Sequence, residues 1–212
     1  MAVVKLFPRK AAPTKTRAQS LASRHDYDSN LDKTRVGELV SSFMCQSEST
    51  TVEFEAGKLI YEASTGRSQP KGRDVIMHGI MQSFKPRETT PKEANRIGYE
   101  LAMVFTKGQH QLVVYTHEDK THIHNHIEFN STNLECDGKF KNVKDSVRVL
   151  RRMNDKICQA HGISVPKLGR KKSLSPEEMG AAKYGKSFKQ KLRIIIDVVL
   201  LGCKDFEEFL AA

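Results

Sequence analysis

Tryptophan is absent from this 212-residue chain, cysteine occurs only four times, and aromatic residues make up 7% of the sequence. No apolar run approaches the roughly 18 residues of a membrane-spanning helix, and the first twenty residues lack the continuous apolar core of a secretory signal. The cysteines are far apart and form no CxxC pair, which favours reduced thiols over a disulfide framework. These absences predict a cytoplasmic protein without a membrane segment.

Acidic residues are also in deficit. The chain has 35 Lys and Arg against 25 Asp and Glu, a formal charge of +10. Such an excess predicts a polyanionic partner, most commonly nucleic acid, although a generally basic protein without such a partner is the alternative. The apolar content of 38% and charged content of 28% are typical of a globular domain rather than a disordered chain.

The hydrophobic pattern predicts an α+β fold, with an antiparallel or mixed central sheet (palm-like) and helices packed on one side. We expect the main domain to span residues 1–165, followed by a basic linker and a C-terminal helical segment over 166–212. The predicted strands cover 3–7, 74–84, 111–116 and 122–130. The predicted helices cover 11–22, 51–66, 90–108 and 143–162, and a polar turn is expected over 25–34.

What the chain does contain is a concentration of histidine. The segment "HQLVVYTHEDKTHIHNHIEFN", residues 110–130, holds five of the eight histidines. Side chains alternate along a strand. One face of the predicted strand over 122–130 therefore carries His122, His124, His126, Glu128 and Asn130. The other face carries Ile123, Ile127 and Phe129, with Asn125 as the exception. This pattern predicts a strand packed on helices behind and open to a site in front.

The alternating histidines favour a metal site. His124 and His126 are about 6.6 Å apart along a strand, so both can reach one ion, and His117 at the end of the preceding strand can be the third ligand. His122 is a possible ligand, so which three bind stays open. A lone histidine is usually a surface residue or a hydrogen-bonded core residue. That explanation does not fit several histidines that alternate along one face of a strand. Neither the HExxH nor the HxHxDH pattern is present, so the site indicates an open coordination shell without naming a reaction.

The same segment resembles the histidine motif of the relaxases, the mobilisation nucleases of plasmids and integrative elements, in the branch related to the VirD-type endonuclease. The matching residues are His117, Asp119, His124, His126 and Asn130. "QSFKPRETTPKEA" resembles a second motif of the family and puts Ser83 in the place of its serine. "YDSNLDKT" resembles the tyrosine motif through Tyr27, Asn30, Lys33 and Thr34, whereas Leu31 stands where proline is usual.

The resemblance covers roughly residues 1–165 and implies a nick in one DNA strand at a transfer origin. It implies that Tyr27 attacks the scissile phosphate, becomes linked to the 5′ end and leaves a 3′ hydroxyl, in a reaction that can be reversed. It also implies a divalent ion, Mg²⁺ or Mn²⁺ or another transition metal, held by the histidines. Asp119 would orient His117 or move a proton, and Ser83 belongs to the catalytic set. The other tyrosines are Tyr61, Tyr99, Tyr115 and Tyr184.

The expected partner is single-stranded DNA at the transfer origin, together with accessory mobilisation proteins. Basic residues after the histidine strand are candidates for phosphate contacts. The predicted DNA-binding residues are Lys33, Asn130, Lys141, Arg148, Arg151 and Arg152. For any single one of them, a solvated helix face is nearly as good an explanation.

Three other functions compete with the nickase. A replication-initiation nuclease uses similar chemistry but usually places its tyrosine on a helix after the histidine motif, whereas Tyr27 precedes it. A non-catalytic DNA-binding protein could use the histidines for a structural ion. The chain could also be a degenerate, inactive remnant of a longer relaxase.

Overall fold

A five-stranded antiparallel sheet with the strand order β1-β3-β5-β4-β2 organises the chain, and four helices pack on it, which confirms the predicted α+β class. The computed structural model describes residues 2–30, 32–70, 72–118 and 122–166, with positions 188 and 191. In chain order the elements are β1 Val3–Lys10, α1 Arg17–Asp28, β2 Val40–Phe43, α2 Thr50–Thr65, β3 Val75–Ser83, α3 Pro91–Thr106, β4 Leu112–His117, β5 His124–Asn130 and α4 Ser146–Ala160.

The sheet has two faces, which are identified by the side chains of its central strand, β5. We call the sheet face that carries His124 and His126 the front face, and the face that carries Ile127 and Phe129 the back face. Directly paired residues of antiparallel strands share a face. The register therefore puts Ser83 of β3 and His117 of β4 beside His124 on the front face, and Tyr115 beside His126.

Helices cover both faces, so the expectation of helices on one side is wrong. On the back face, α3 and α4 pack on the larger core, which contains Ile80, Leu112, Val114, Ile127 and Phe129. On the front face, α1 and α2 close a smaller core of Ala11, Leu21, Phe54, Ile76 and Met77. Little in the sequence indicated this second layer, because two of the three buried residues of α1, His25 and Asp28, are polar, and the strand faces beneath the helix are polar as well.

The boundaries of α1 correct two predictions. The helix begins at Arg17 instead of residue 11, because Thr16 and Gln19 form a reciprocal capping box there. It continues to Asp28, so the segment expected to be a polar turn from residue 25 begins with helix. Tyr27 therefore lies in the last helical turn, and its position is set by a rigid element.

Other elements follow the sequence signals more closely. The hydroxyl of Thr90 accepts a hydrogen bond from the backbone N–H of Glu93, and Pro91 opens α3, close to the start of the predicted helix over 90–108. The short strand β2 was not foreseen, since "VSSF" has neither length nor alternation. β5 begins at His124, not at residue 122.

The main compact unit ends at Lys167. The predicted basic linker and C-terminal helices lie outside the described residues. Within the part of the chain that the structure describes, no helix has the length and apolar character needed to cross a membrane.

Candidate active site

Three histidines from the ends of β4 and β5 meet on the front face. Ligand atoms of His117, His124 and His126 all lie within 4.8 Å of one another, and we call these three residues the histidine cluster. The ring centroids are 5.1 Å apart for His117 and His124, 4.6 Å for His117 and His126, and 5.1 Å for His124 and His126. All three side chains are buried, because α1 covers this part of the sheet, so the front face is less open than the sequence predicted.

His126 presents a neutral imidazole. Burial, and then the neighbouring His117 and His124, lower the pKa of His126 to about 2, so its ring keeps a lone pair at neutral pH. Nε2 of His117 lies 2.7 Å from the backbone carbonyl oxygen of Asp28 and donates to it, which leaves the lone pair on Nδ1. Neutral nitrogen lone pairs that converge are the donor set that borderline divalent metals bind. These residues therefore fit a divalent ion.

A buried charged layer supports the cluster. Nδ1 of His126 lies 3.3 Å from Oδ1 of Asp28, the residue that follows Tyr27. Arg24 contacts both: its Nε is 2.7 Å from Oδ2 of Asp28, and its Nη2 is 3.1 Å from Nδ1 of His126. Arg24 and Asp28 thus both contact Nδ1 of His126, and contacts of this kind behind a histidine limit the orientation of its ring. Arg24 and Asp28 were not predicted from the sequence. They lie on either side of Tyr27 in the sequence and are four residues apart, which places them on the same face of a helix.

A second carboxyl group, Glu128 of β5, adjoins Asp28. Burial and the charge of Glu128 raise the pKa of Asp28 to about 8. Burial alone raises the pKa of Glu128, but its hydrogen bond with His25, at 2.5 Å from Nδ1, brings the pKa below the ordinary value. Two charged carboxylates this close repel each other, which disfavours the state in which both are ionised.

Tyr27 projects from the end of α1 toward the cluster. Its ring centroid lies 6.5 Å from that of His126, in an edge-to-face arrangement. Two cations accompany the ring: Nζ of Lys33 is 4.2 Å and Cζ of Arg24 is 5.2 Å from its centroid. The side chain is 52% exposed, so a strand in solution can reach the phenol while the ring borders the buried histidines.

The other tyrosines are placed less favourably. Tyr115 lies opposite His126 on the front face, but it is completely buried, and burial raises the pKa of its phenol. Tyr61 of α2 is also buried. Tyr99 belongs to α3, on the back face. Tyr184 lies outside the described residues.

The remaining predicted catalytic and metal residues have different outcomes. Ser83 is half-buried on the front face and pairs with His124 in the register of β3 and β5. The ring centroid of His122 is 5.5 Å from that of His124. Among the described residues, however, the group with converging ligand atoms consists of His117, His124 and His126. Asp119 lies outside the described residues.

The predicted DNA contacts are divided between the two faces. Lys33 adjoins Tyr27 at the site. Asn130 is on the front face but is buried, and its side-chain amide donates to the backbone of Phe54 and the side chain of Gln111. Its side chain is engaged within the protein, and its expected contact with DNA stays a prediction. The exposed residues Arg148, Arg151 and Arg152 lie on α4, which packs on the back face, and Lys141 is exposed in the segment before it.

Comparison with known proteins gives a consistent answer. The family described as "Relaxase: MobA/VirD2-like, nuclease domain" matches residues 26–163, which include every residue of the histidine cluster and Tyr27. A Staphylococcus aureus "Protein rlx" is 36% identical over 158 residues, which cover 74% of this chain and 45% of that protein. Another "Protein rlx" from Staphylococcus aureus is 39% identical over 140 residues, 66% of this chain and 43% of that protein.

A more distant relative covers nearly the whole chain. The "Group II intron-interrupted relaxase LtrB" of Lactococcus lactis is 28% identical over 222 aligned positions, which span 96% of this chain but 38% of that protein. The chain therefore spans about half, or less, of the length of these curated relatives.

Proposed function

The chain belongs to the MobA/VirD2-like relaxases, and on this premise we propose that it is a metal-dependent, site- and strand-specific DNA nickase. It would cleave one strand at a transfer origin through a tyrosyl-5′-phosphate and could rejoin that strand. The observation that carries the proposal is the position of Tyr27, half-exposed and 6.5 Å by ring centroids from a histidine of a convergent three-histidine cluster.

Tyr27 would be the nucleophile. Its Oη forms a bond to the scissile phosphorus while the bond from phosphorus to the 3′ oxygen breaks. The phenolic proton passes to solvent, which the half-exposed side chain reaches, and the departing 3′ oxygen takes up a proton. Lys33 and Arg24, which flank the ring, favour the negative charge on the phenol oxygen as it attacks.

His117, His124 and His126 would hold the divalent ion, Mg²⁺ or Mn²⁺ in the cell. When bound, such an ion supplies Lewis-acid stabilisation of charge on the non-bridging phosphate oxygens and a template for the substrate. Asp28 and Arg24 would fix the orientation of His126 from behind. Ser83, beside His124 on β3, would contact the DNA or the ion from the neighbouring strand, and Asp119 would move a proton or orient His117.

The product of the first step stores the energy of the broken phosphodiester in the tyrosyl phosphate bond. Attack by a 3′ hydroxyl on that bond restores the strand and the free phenol, so rejoining needs no ATP. We propose that this reaction serves conjugative mobilisation in the cytoplasm and that accessory mobilisation proteins assemble with the chain at the origin.

The test is cleavage of a 5′- or 3′-labelled single-stranded oligonucleotide that carries the transfer origin of the encoding element, with Mn²⁺ or Mg²⁺. Products are separated on a denaturing gel after Tyr27→Phe, His124→Ala and the matched control Tyr99→Phe. We expect a fragment linked to the protein through its 5′ phosphate with the unmodified chain and with Tyr99→Phe, and none with the other two variants.

Each alternative outcome has a distinct meaning. Cleavage that survives Tyr27→Phe would move the nucleophile elsewhere in the chain. DNA binding without cleavage in the unmodified chain would contradict the nickase and favour a non-catalytic DNA-binding protein or an inactive remnant.

A further inference from the structure

A second site adjoins the histidine cluster on the front face. A cavity of about 260 Å³ opens where the end of β1 meets α1 and the start of β3. Its lining includes the cations Arg9, Lys10, Lys15 and Arg24 and the hydroxyls of Ser20 and Ser23, with no acidic residue. We call it the basic pocket. Its size suits one small anionic group and is below that of most drug-sized ligand sites.

A backbone irregularity brings the cations together. Arg9 pairs with Met77 of β3, but Lys10 pairs with Val75, so the register skips one residue between them. Neighbouring residues on a regular strand point to opposite faces. The extra residue is Ile76 of β3, which interrupts the regular pairing at this end of the two strands. Arg9 and Lys10 both line the cavity here.

The polar groups in the pocket point to a missing partner. Nε of Arg9 is buried and has no hydrogen-bond acceptor among the described residues. Burial, and then the charge of the neighbouring Arg24, lower the pKa of Arg9, while the charges of Glu128 and Asp28 act in the opposite direction. The two guanidinium groups are like charges and repel each other. Lys15 is held in place by donating to the hydroxyl of Ser23 at 2.7 Å. An anion between these groups would relieve the repulsion and accept the hydrogen bonds.

Arg24 connects the pocket to the chemistry. It is a wall of the basic pocket and also contacts His126 and Asp28. The carboxyl groups of Asp28 and Glu128 do not line the pocket, although their charges act to raise the pKa of Arg9. The four cations outnumber these two carboxyl groups. Because Arg24 borders both the Tyr27 ring and the pocket, a strand whose scissile phosphate lies at Tyr27 would find further positive charge here.

Resting on the proposed nickase function, we infer that the basic pocket binds one phosphodiester of the same DNA strand, next to the scissile one, and so sets the register in which that strand meets Tyr27. Arg9 and Lys10 would be its principal ligands. Their role is binding and positioning, since neither touches the reacting atoms.

The experiment measures binding of the transfer-origin oligonucleotide by fluorescence anisotropy over a series of salt concentrations. The full chain carries Tyr27→Phe so that the strand stays intact. Arg9→Gln with Lys10→Gln removes two pocket charges, and Arg67→Gln with Lys92→Gln removes two exposed charges elsewhere. The pair Lys10→Gln and Lys15→Gln, both at exposed positions, guards against a folding defect at the partly buried Arg9.

Affinity decreases with salt, and we expect this dependence to become less steep in the pocket variants. The magnitude of the slope of log affinity against log salt should decrease by about 0.7 for one lost phosphate contact. It should stay unchanged in the Arg67 and Lys92 control. Oligonucleotides with one neutral methylphosphonate at each position then locate the contact. At one position beside the scissile phosphate, the methylphosphonate should lower the affinity of the chain with an intact pocket by roughly fivefold or more. The same methylphosphonate should not lower the affinity of the pocket variants any further.

Additive losses at every methylphosphonate position would overturn the inference, even if nicking by the unmodified chain is normal. Binding of inorganic phosphate without coupling to any oligonucleotide position would overturn it in favour of a free-anion site. Coupling at one position in a chain that never cleaves DNA would support the pocket and contradict the nickase function instead.

Discussion

Strand β5 carries polar side chains on both faces, and the two sets behave differently. On the front face, His124, His126 and Glu128 join Asp28 and Arg24 in a cluster of titratable groups. On the back face, Asn125 joins neutral groups: it donates to Gln82 and to the carbonyl of Ala94 and accepts from Thr116. The histidines of the front face can coordinate a metal ion, whereas the polar groups of the back face hydrogen-bond to one another within the protein.

This difference teaches how to tell a site from a structural network. Buried neutral amides that bond one another stabilise a unique arrangement of elements. The back network extends from Asn154 of α4 through Gln82 and Asn125 to Asn95 of α3. Buried imidazoles whose protonated forms are disfavoured instead present lone pairs, and these are what a metal ion requires.

The largest effect should come from removing one metal ligand on the front face. His124→Ala should weaken binding of Mn²⁺ by at least about 100-fold, since loss of even a supporting partner costs 10–100-fold. Calorimetric titration of the full chain measures this. His122→Ala is the matched control, because that ring lies next to His124 but outside the convergent group. Equal losses for the two variants would place His122 among the ligands.

The next effect tests the back face. Asn125→Ala leaves partners in Gln82, Thr116 and α3 without their hydrogen bonds, and should lower the free energy of unfolding by about 2–4 kcal/mol. Urea denaturation measures it, and Mn²⁺ affinity of the folded variant should change by only a few fold. Unchanged stability together with lost metal binding would show that the two faces are not separable.

A third prediction concerns an imidazole on the back face. His78 stacks on Phe129, with ring centroids 5.2 Å apart, and burial, followed by the charge of His110, lowers its pKa to about 4. Because the folded pKa is below the unfolded value, the unfolded chain binds the proton more readily. The contribution of His78 to the free energy of unfolding should be fully present above about pH 6.5. It should be lost as the pH drops toward 4, by up to about 3 kcal/mol.

The substitution His78→Phe isolates this contribution, since a phenyl ring suits the surrounding aromatic cluster of Phe105, Phe129 and Phe140. Urea denaturation at a series of pH values should show a shallower acid limb for the variant than for the unmodified chain. Parallel curves would contradict the assignment.

The smallest effect is expected on α4. Arg151→Gln with Arg152→Gln removes exposed charges from the layer behind the sheet, where salt screens them. Affinity for the oligonucleotide at physiological salt should fall by less than about twofold, and less than in the basic-pocket variants. A larger loss, measured by the same anisotropy assay, would show that the strand wraps round to the back face.

Much of the fold could be read from local signals. The alternation in residues 124–130 predicted which side chains share a face, and Asn125 was already the exception. The helix predicted over 90–108 agrees closely with α3, Pro91–Thr106. β2 and the end of α1 escaped prediction because a four-residue strand has no period to detect, and because Asp28 and Ser29 suit a helix end as well as a turn.

By itself the sequence determined the histidine motif, its strand and the family, because spacing along a regular strand fixes which side chains lie together. Only the tertiary structure decided that α1 lies over those histidines and brings Tyr27, Arg24 and Asp28 to them. It also placed the arginines of α4 behind the sheet and the basic pocket in front. The physical reason is that side-chain periodicity is local, whereas the face on which a helix packs depends on apolar and charged partners distant in sequence, such as Phe54, Met77 and Glu128.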